Sequence, residues 1–215
     1  MLGDIVGYAA DPSAVITLVQ ELRAKAIVRG NHDKVACGLE QPDGFNAVAR
    51  AAAQWTFDAL TDEHRAWLAS LAQGPIAVDE LVEICHGSPV DEDAYIFDET
   101  DALRALKATS RPLCLFGHTH FPVTFQLAGG ELQANGPATA GEARLELRQD
   151  VLYLVNPGAV GQPRDGDARA AYAIVDVGLR CIELYRVDYP IEKAQMKIIE
   201  AGLPPVLAKR LSLGR

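Results

Sequence analysis

Four short segments of this chain carry side chains that bind metals, and each follows an apolar run. They are Gly3-Asp4, Gly30-Asn31-His32-Asp33, His86-Gly87 and Gly117-His118-Thr119-His120. Together they hold four of the five histidines. The set offers carboxylate and amide oxygens and imidazole nitrogens, but no thiolate. Such donors suit Mn, Fe, Ni, Zn or Co rather than Ca or an iron–sulfur cluster. A glycine in each segment lets the backbone turn sharply beside the ion. The remaining histidine stands in Asp62-Glu63-His64. That triplet satisfies a D-x-H spacing, but Thr61 before it and acids at its start read as a helix opening, not a strand end. Cys37, Cys85, Cys114 and Cys181 are widely and irregularly spaced, with no C-x-x-C, and read as free buried thiols.

For these segments to meet, they must sit at neighbouring strand ends, where ligands bind in open α/β sheets. The apolar pattern supplies such strands. Residues 26–28 are expected to run into Gly30, residues 80–85 into His86, and residues 112–116 into Gly117. Helices come between them. Asp11-Pro12 opens one, with Val15, Leu18, Val19 and Leu22 as its apolar face. Residues 43–72 predict two more: one with the stripe Phe45, Val48, Ala52, Trp55 and Ala59, the next capped by Thr61. Residues 98–107 predict another. Beyond His120 the pattern turns to short alternating strands at 123–127, 144–147, 151–155, 171–175 and 181–187. Residues 134–141 are expected as a flexible loop, and 191–201 as a last helix closed by Gly202. Mixed βα units followed by antiparallel strands predict an α/β (α+β) fold of two packed sheets with helices outside.

The chain has 215 residues, 49% of them hydrophobic, enough for one domain with a sizeable core. We read 1–215 as a single domain in which 34–80 forms a helical, cap-like insertion. Net charge is -9, so the overall field does not draw in nucleic acid or an anionic membrane. An anionic substrate would need a local positive centre, such as a bound metal. No apolar run reaches the ~18 residues of a membrane span, and no signal-peptide pattern opens the chain. The expected localisation is cytoplasmic.

The order GD, GNHD, HG, GHTH resembles the signature of the calcineurin-like metallophosphoesterases, in particular their small prokaryotic phosphodiesterase branch. Gly3-Asp4-Ile5-Val6-Gly7-Tyr8 and Asn156-Pro157-Gly158-Ala159-Val160-Gly161-Gln162-Pro163-Arg164-Asp165 extend the likeness over essentially the whole chain. The resemblance implies a four-layer α/β/β/α sandwich with a site for up to two divalent transition metals, Mn foremost. Asp4 would bridge the two ions; Asn31, His86 and His118 would complete one site, and His120 would bind the other ion. His32 would contact the phosphate and protonate the leaving group, with Asp33 holding its imidazole in the charged form. Arg164 would either add charge near the phosphate or form a structural salt bridge.

The family opens with a D-x-H motif ahead of its GD, and none stands before Gly3-Asp4 here. The expectation is that one ion keeps only Asp4 and His120 and binds weakly. Either the sequence starts late or is trimmed from a longer protein, or a second copy exchanges a strand to form a homodimer, or the terminus rearranges to cover the exposed edge. The function implied is hydrolysis of a phosphorylated small molecule: a phosphodiester, a nucleotide or a dinucleoside polyphosphate. The alternative is a catalytically impaired scaffold on the same fold. Trp55, Trp67 and Tyr95 are the candidates for stacking a base.

Overall fold

The structure, a computed structural model, describes residues 1–136 and 143–215. The expected loop at 134–141 therefore lies partly outside the described residues. Of that stretch, Ala134 and Asn135 belong to a strand.

Among the described residues, nine strands form two sheets. β1 (Ile76–Ala77), β2 (Val82–Ile84), β3 (Leu113–Leu115), β4 (Val123–Ala128), β5 (Glu131–Asn135) and β7 (Val151–Asn156) make a six-stranded sheet in the order β1-β2-β3-β7-β4-β5. β2, β3 and β7 are parallel neighbours, with Val82 opposite Leu113 and Leu113 opposite Tyr153. β6 (Ala143–Glu146), β8 (Ala170–Asp176) and β9 (Cys181–Val187) form an antiparallel sheet in the order β6-β9-β8. The two sheets share one core. Val82, Ile84, Leu113, Val151, Tyr153 and Val155 meet Ile182 of the second sheet, with Leu145, Ala173, Val175 and Leu184 packed alongside. Burying each large apolar side chain of this set contributes about 1.5–3 kcal/mol. Tyr153 also ties the layers together by hydrogen bonding. Its hydroxyl donates to the Glu146 carbonyl at 3.1 Å and accepts from the Arg148 N–H at 3.0 Å.

α5 (Glu99–Leu106) covers the other face of the large sheet. Its Ala102, Ala105 and Leu106 pack on Cys114, Phe116, Phe125 and Leu154. Asp98 opens it, its carboxylate accepting from the N–H groups of Thr100 and Asp101. α1 (Pro12–Glu21), α2 (Asn31–Ala36), α3 (Ala47–Ala59) and α4 (Asp62–Ala69) form with α6 (Ile191–Glu200) and α7 (Pro205–Leu211) the remaining helices. α3 contributes Ala52 to a core with Ile198, Leu203, Leu207 and Leu211 of the C-terminal segment.

Three expectations are corrected here. Residues 26–28 make no ladder; Val28 forms a lone parallel bridge with Ala72, and its N–H bonds to the Met1 carbonyl instead. The apolar face of α1 is Pro12, Ile16 and Val19, while Val15, Leu18 and Leu22 are exposed. Two overlapping stripes were available on that helix. The one through Ile16 wins because it meets Val6, Ala36, Leu60 and Leu68. Asp11 makes no cap hydrogen bond, because its carboxylate is taken by Lys197 at 2.7 Å. Asp62-Glu63-His64 does open α4 under a Thr61 cap.

Candidate metal centre

The site lies at the C-terminal ends of the three parallel strands. β2 leads into His86, β3 into Gly117-His118, and β7 ends on Asn156. A parallel sheet delivers its strand ends to one edge, so these loops converge by topology alone. Asn156 is fully buried and organises the His118 loop. Its amide donates to the Gly117 carbonyl at 2.7 Å and to the Thr119 hydroxyl at 3.0 Å, and its oxygen accepts from the Gly158 N–H. Asp4, His118 and His120 all hold left-handed backbone angles, with φ of 51°, 62° and 58°. Such strain persists where the surroundings over-determine it, and it clusters at functional sites. Gly3 has φ 81°, and a Cβ there would fall 2.6 Å from the His86 ring. No other residue fits between Asp4 and His86.

The donor atoms face one another. His86 Nδ1 stands 2.7 Å from the Leu2 carbonyl. A carbonyl only accepts, so the proton sits on Nδ1 and the Nε2 lone pair points inward. That Nε2 lies 3.0 Å from His118 Nδ1, 3.3 Å from Asn31 Oδ1 and 3.6 Å from Asp4 Oδ1. His120 repeats the arrangement. Its Nδ1 donates to the Gln162 carbonyl at 2.9 Å, leaving Nε2 aimed at Asp4 Oδ2 at 3.7 Å. Two inward lone pairs thus confront the two oxygens of one carboxylate, which is favourable only with positive charge between them. Metal–nitrogen bonds of about 2.0–2.1 Å put adjacent ligands about 3 Å apart, which matches the spacing around His86. Ligand atoms of Asp4, His86 and His118 lie within 4.8 Å of one another. The residues therefore fit a divalent metal, with His86, His118 and Asn31 on one side of Asp4 and His120 on the other.

Charge states agree with that fit. Burial works against ionisation of Asp4, but the rings of His86, His32 and His120 outweigh it and hold the carboxyl well below its usual range. Burial, and then the neighbouring His86, lower His118 to about 3. Burial lowers His32 to about 4. Both rings are neutral at pH 7.

His32 departs from the sequence reading. Its ring stands between Tyr8 and Phe45, with centroids at 4.3 and 4.6 Å, and its Nδ1 is buried without a hydrogen-bond partner. Asp33 does not hold it. The Asp33 carboxylate accepts from the N–H groups of Gly30 at 2.8 Å and Val6 at 3.1 Å. The cause is local: Asp33 is the third residue of α2, where a carboxylate reaches back to the helix N-terminus. Burial, with the charge of Asp4 adding to it, raises Asp33 to about 8. Burial outweighs the pull of the Asp4 charge towards a protonated His32, and Asp33 bonds elsewhere, so the expected catalytic pair becomes a ring and a separate loop anchor.

A cavity of about 90 Å³ opens beside the centre, lined by Asp4, Asn31, His32, His118, Tyr8 and Tyr95 among others, with Arg164 at its wall. Tyr95 stacks on His118 at 3.9 Å and on Phe97 at 5.0 Å. Of the three aromatic candidates only Tyr95 reaches the cavity; Trp55 and Trp67 pack against core clusters. Tyr8 and Phe45 were missed as cavity residues, although Tyr8 stands in the Gly3–Tyr8 motif and offered a signal.

One network beneath the site was not foreseen. Lys34, with its side chain 2% exposed, donates to Glu40 at 2.8 Å, Glu92 at 3.2 Å and Asp93 at 2.5 Å. Arg29 binds Glu92 through two 3.0 Å bonds. The ammonium fills this acidic cluster, so the cluster is a lysine cage and not a second metal site.

The comparisons agree with this geometry. Residues 1–179 match the calcineurin-like phosphoesterase superfamily domain, and the chain belongs to that superfamily. It is 35% identical to an uncharacterized protein of Methanocaldococcus jannaschii over 219 residues, covering 100% of this chain and 85% of that protein. The crystal structure of a metallophosphoesterase from Sphaerobacter thermophilus superposes with a TM-score of 0.86 at 39% identity, over 100% of this chain and 86% of that one. A hypothetical protein from Pyrococcus horikoshii shares the fold with a TM-score of 0.76 at 20% identity, over 100% and 84% of the two chains. Among the described residues, no helix is long and apolar enough to cross a membrane.

Proposed function

We propose that the protein hydrolyses a phosphorylated small molecule, with a phosphodiester, a nucleotide or a dinucleoside polyphosphate as the substrate class and Mn as the preferred metal. The observation that carries this reading is the confrontation of His86 Nε2 and His120 Nε2 with opposite oxygens of Asp4, at 3.6 and 3.7 Å. Asp4, Asn31, His86 and His118 would hold one ion, and Asp4 with His120 a second. A divalent metal, when bound, supplies Lewis acidity and lowers the pKa of water. The chain's own residues do the rest. The cavity wall of Tyr8, Tyr95 and His118 limits water around the phosphate. The neutral His32 ring gains affinity for a proton as a phosphate anion enters beside it, and can then deliver that proton to the leaving oxygen. Arg164 at the cavity wall offers positive charge to an anionic substrate.

The test is metal content per chain together with hydrolysis of bis(p-nitrophenyl) phosphate in Mn. Turnover should vanish with chelator and return with Mn. His118→Ala should lower it by more than the roughly 10–100-fold that loss of an outer partner of a metal ligand costs. Failure of every metal among Mn, Fe, Ni, Zn and Co to support turnover would overturn the proposal. A partner protein retained by both His32→Ala and His118→Ala would then favour the scaffold reading.

A further inference from the structure

Two guanidinium groups converge on the ring of Tyr8. Arg164 Cζ lies 6.0 Å from its centroid and Arg210 Cζ, from α7, lies 5.8 Å away. Among the described residues, neither pairs with an Asp or Glu side chain. Among the same residues, Arg164 Nε is buried with no hydrogen-bond partner, and the guanidinium makes one side-chain bond, a 3.3 Å contact from its terminal nitrogen to Gln162. Arg210 donates through Nε to the main-chain oxygen of Arg215. The acids that flank Arg164 in sequence are already taken. Asp165 pairs with Arg186, and Asp167 with Arg169 at 2.6 Å. In a chain of net charge -9, two guanidinium groups on one ring without an Asp or Glu partner are unusual, because like charges repel and desolvation adds to the cost. Burial and the neighbouring Arg164 accordingly destabilise the charge of Arg210.

We infer that Tyr8, Arg164 and Arg210 form a second anion subsite, distinct from the metal ligands, and that the substrate is a phosphate ester bearing a second phosphate group. Arginine is suited to this task because its planar donor fork matches phosphate oxygens. Asp4, His118, Tyr8 and Arg164 line one cavity, and Arg210 stands against the Tyr8 ring of that wall, so a molecule held at the metal ligands can direct a second anionic group towards the two guanidinium groups. The inference rests on the phosphoesterase reading for its first phosphate, but it deepens that reading by excluding singly anionic esters as the preferred class.

Binding to metal-stripped protein tests it without activity. Calorimetry would compare methylenediphosphonate with phenylphosphonate at constant ionic strength, on the full chain. The expected result is tighter binding of the diphosphonate. Arg210→Gln should reduce that preference about tenfold or more, the cost of losing a hydrogen bond to a charged group. Arg210→Lys should restore part of it. Arg144→Gln, which removes the same charge from the far sheet where Arg144 pairs with Glu146 and Glu183, should leave the preference unchanged. The melting temperature of Arg210→Gln should not fall, because the variant relieves repulsion. Equal binding of the two probes, no binding of either, or a preference that Arg210→Gln retains would overturn the subsite. Loss of bis(p-nitrophenyl) phosphate turnover in every metal, with the diphosphonate preference intact, would instead overturn the phosphoesterase reading and leave the subsite standing.

Discussion

The carboxylate of Asp33 accepts the backbone N–H of Val6 at 3.1 Å, and through that bond the loop carrying Asp4 is fastened to the helix carrying His32. The second Asp33 oxygen accepts from Gly30. Asp4 closes the circuit from its own side, accepting the His32 N–H at 3.0 Å. Two left-handed residues, Asp4 and Tyr8, lie in the fastened loop, and both line the cavity. The position of Asp4 is therefore set by α2 as much as by its own segment.

Asp33→Ala should uncouple that loop. It leaves two buried N–H groups without acceptors, which costs about 1–3 kcal/mol and should appear as a lower melting temperature. Metal affinity should fall by roughly 10–100-fold, as for other partners that orient a ligand. A variant with normal metal affinity and stability but impaired turnover would show that Asp33 acts on the His32 ring directly, contrary to the geometry.

Much of this site was legible before any fold was known, for a reason specific to metals. Few side-chain types can bind a metal, whatever surrounds them, so His86, His118 and His120 stand out as candidates by type and by the strand ends they follow. The supporting residues carry no such signature. Asn156 orders the His118 loop, yet its role depends on β7 lying beside β3, a long-range pairing that sequence periodicity does not encode. Asp33 was legible as a partner but not for which group, because the choice between the His32 ring and the Val6 N–H is made by the helix turn it occupies. The α1 face failed similarly. Val15, Leu18 and Leu22 have the right spacing, but the face that packs is chosen by where Val6 and Leu68 stand.

Lys34→Met should test the lysine cage. The ammonium is buried in the α2 segment while Glu92 and Asp93 belong to the loop that carries Tyr95. Burial opposes the charge of Lys34, but its bonds to Asp93 and Glu40 outweigh that and raise its pKa. Removing one partner of a fully buried ion pair costs about 3–5 kcal/mol. Glu40 and Asp93 are partly exposed here, with side chains 48% and 41% accessible, so water compensates and the loss should fall below that range, towards the ~1 kcal/mol of an exposed pair. The specific readout is protease cleavage within 87–97, which should accelerate as the loop bearing Tyr95 loosens. Wild-type stability and protection in Lys34→Met would mean that the cage is energetically neutral.

The last prediction concerns acid. Burial lowers His32 from 6.5 to about 4, so the unfolded chain takes up this proton before the folded one does. The sign follows directly: the contribution is fully present above pH 6.5 and is lost as pH falls from there towards 4. A shift of that size corresponds to roughly 3 kcal/mol. Metal-stripped protein should therefore lose stability over this window, measured as the denaturant midpoint from pH 7.5 to 4. His32→Gln removes this titrating group and should reduce the slope, leaving the part that His118, lowered in the same way, contributes. A wild-type profile equally steep in His32→Gln would place the acid sensitivity elsewhere and mean that the ring between Tyr8 and Phe45 is not held neutral.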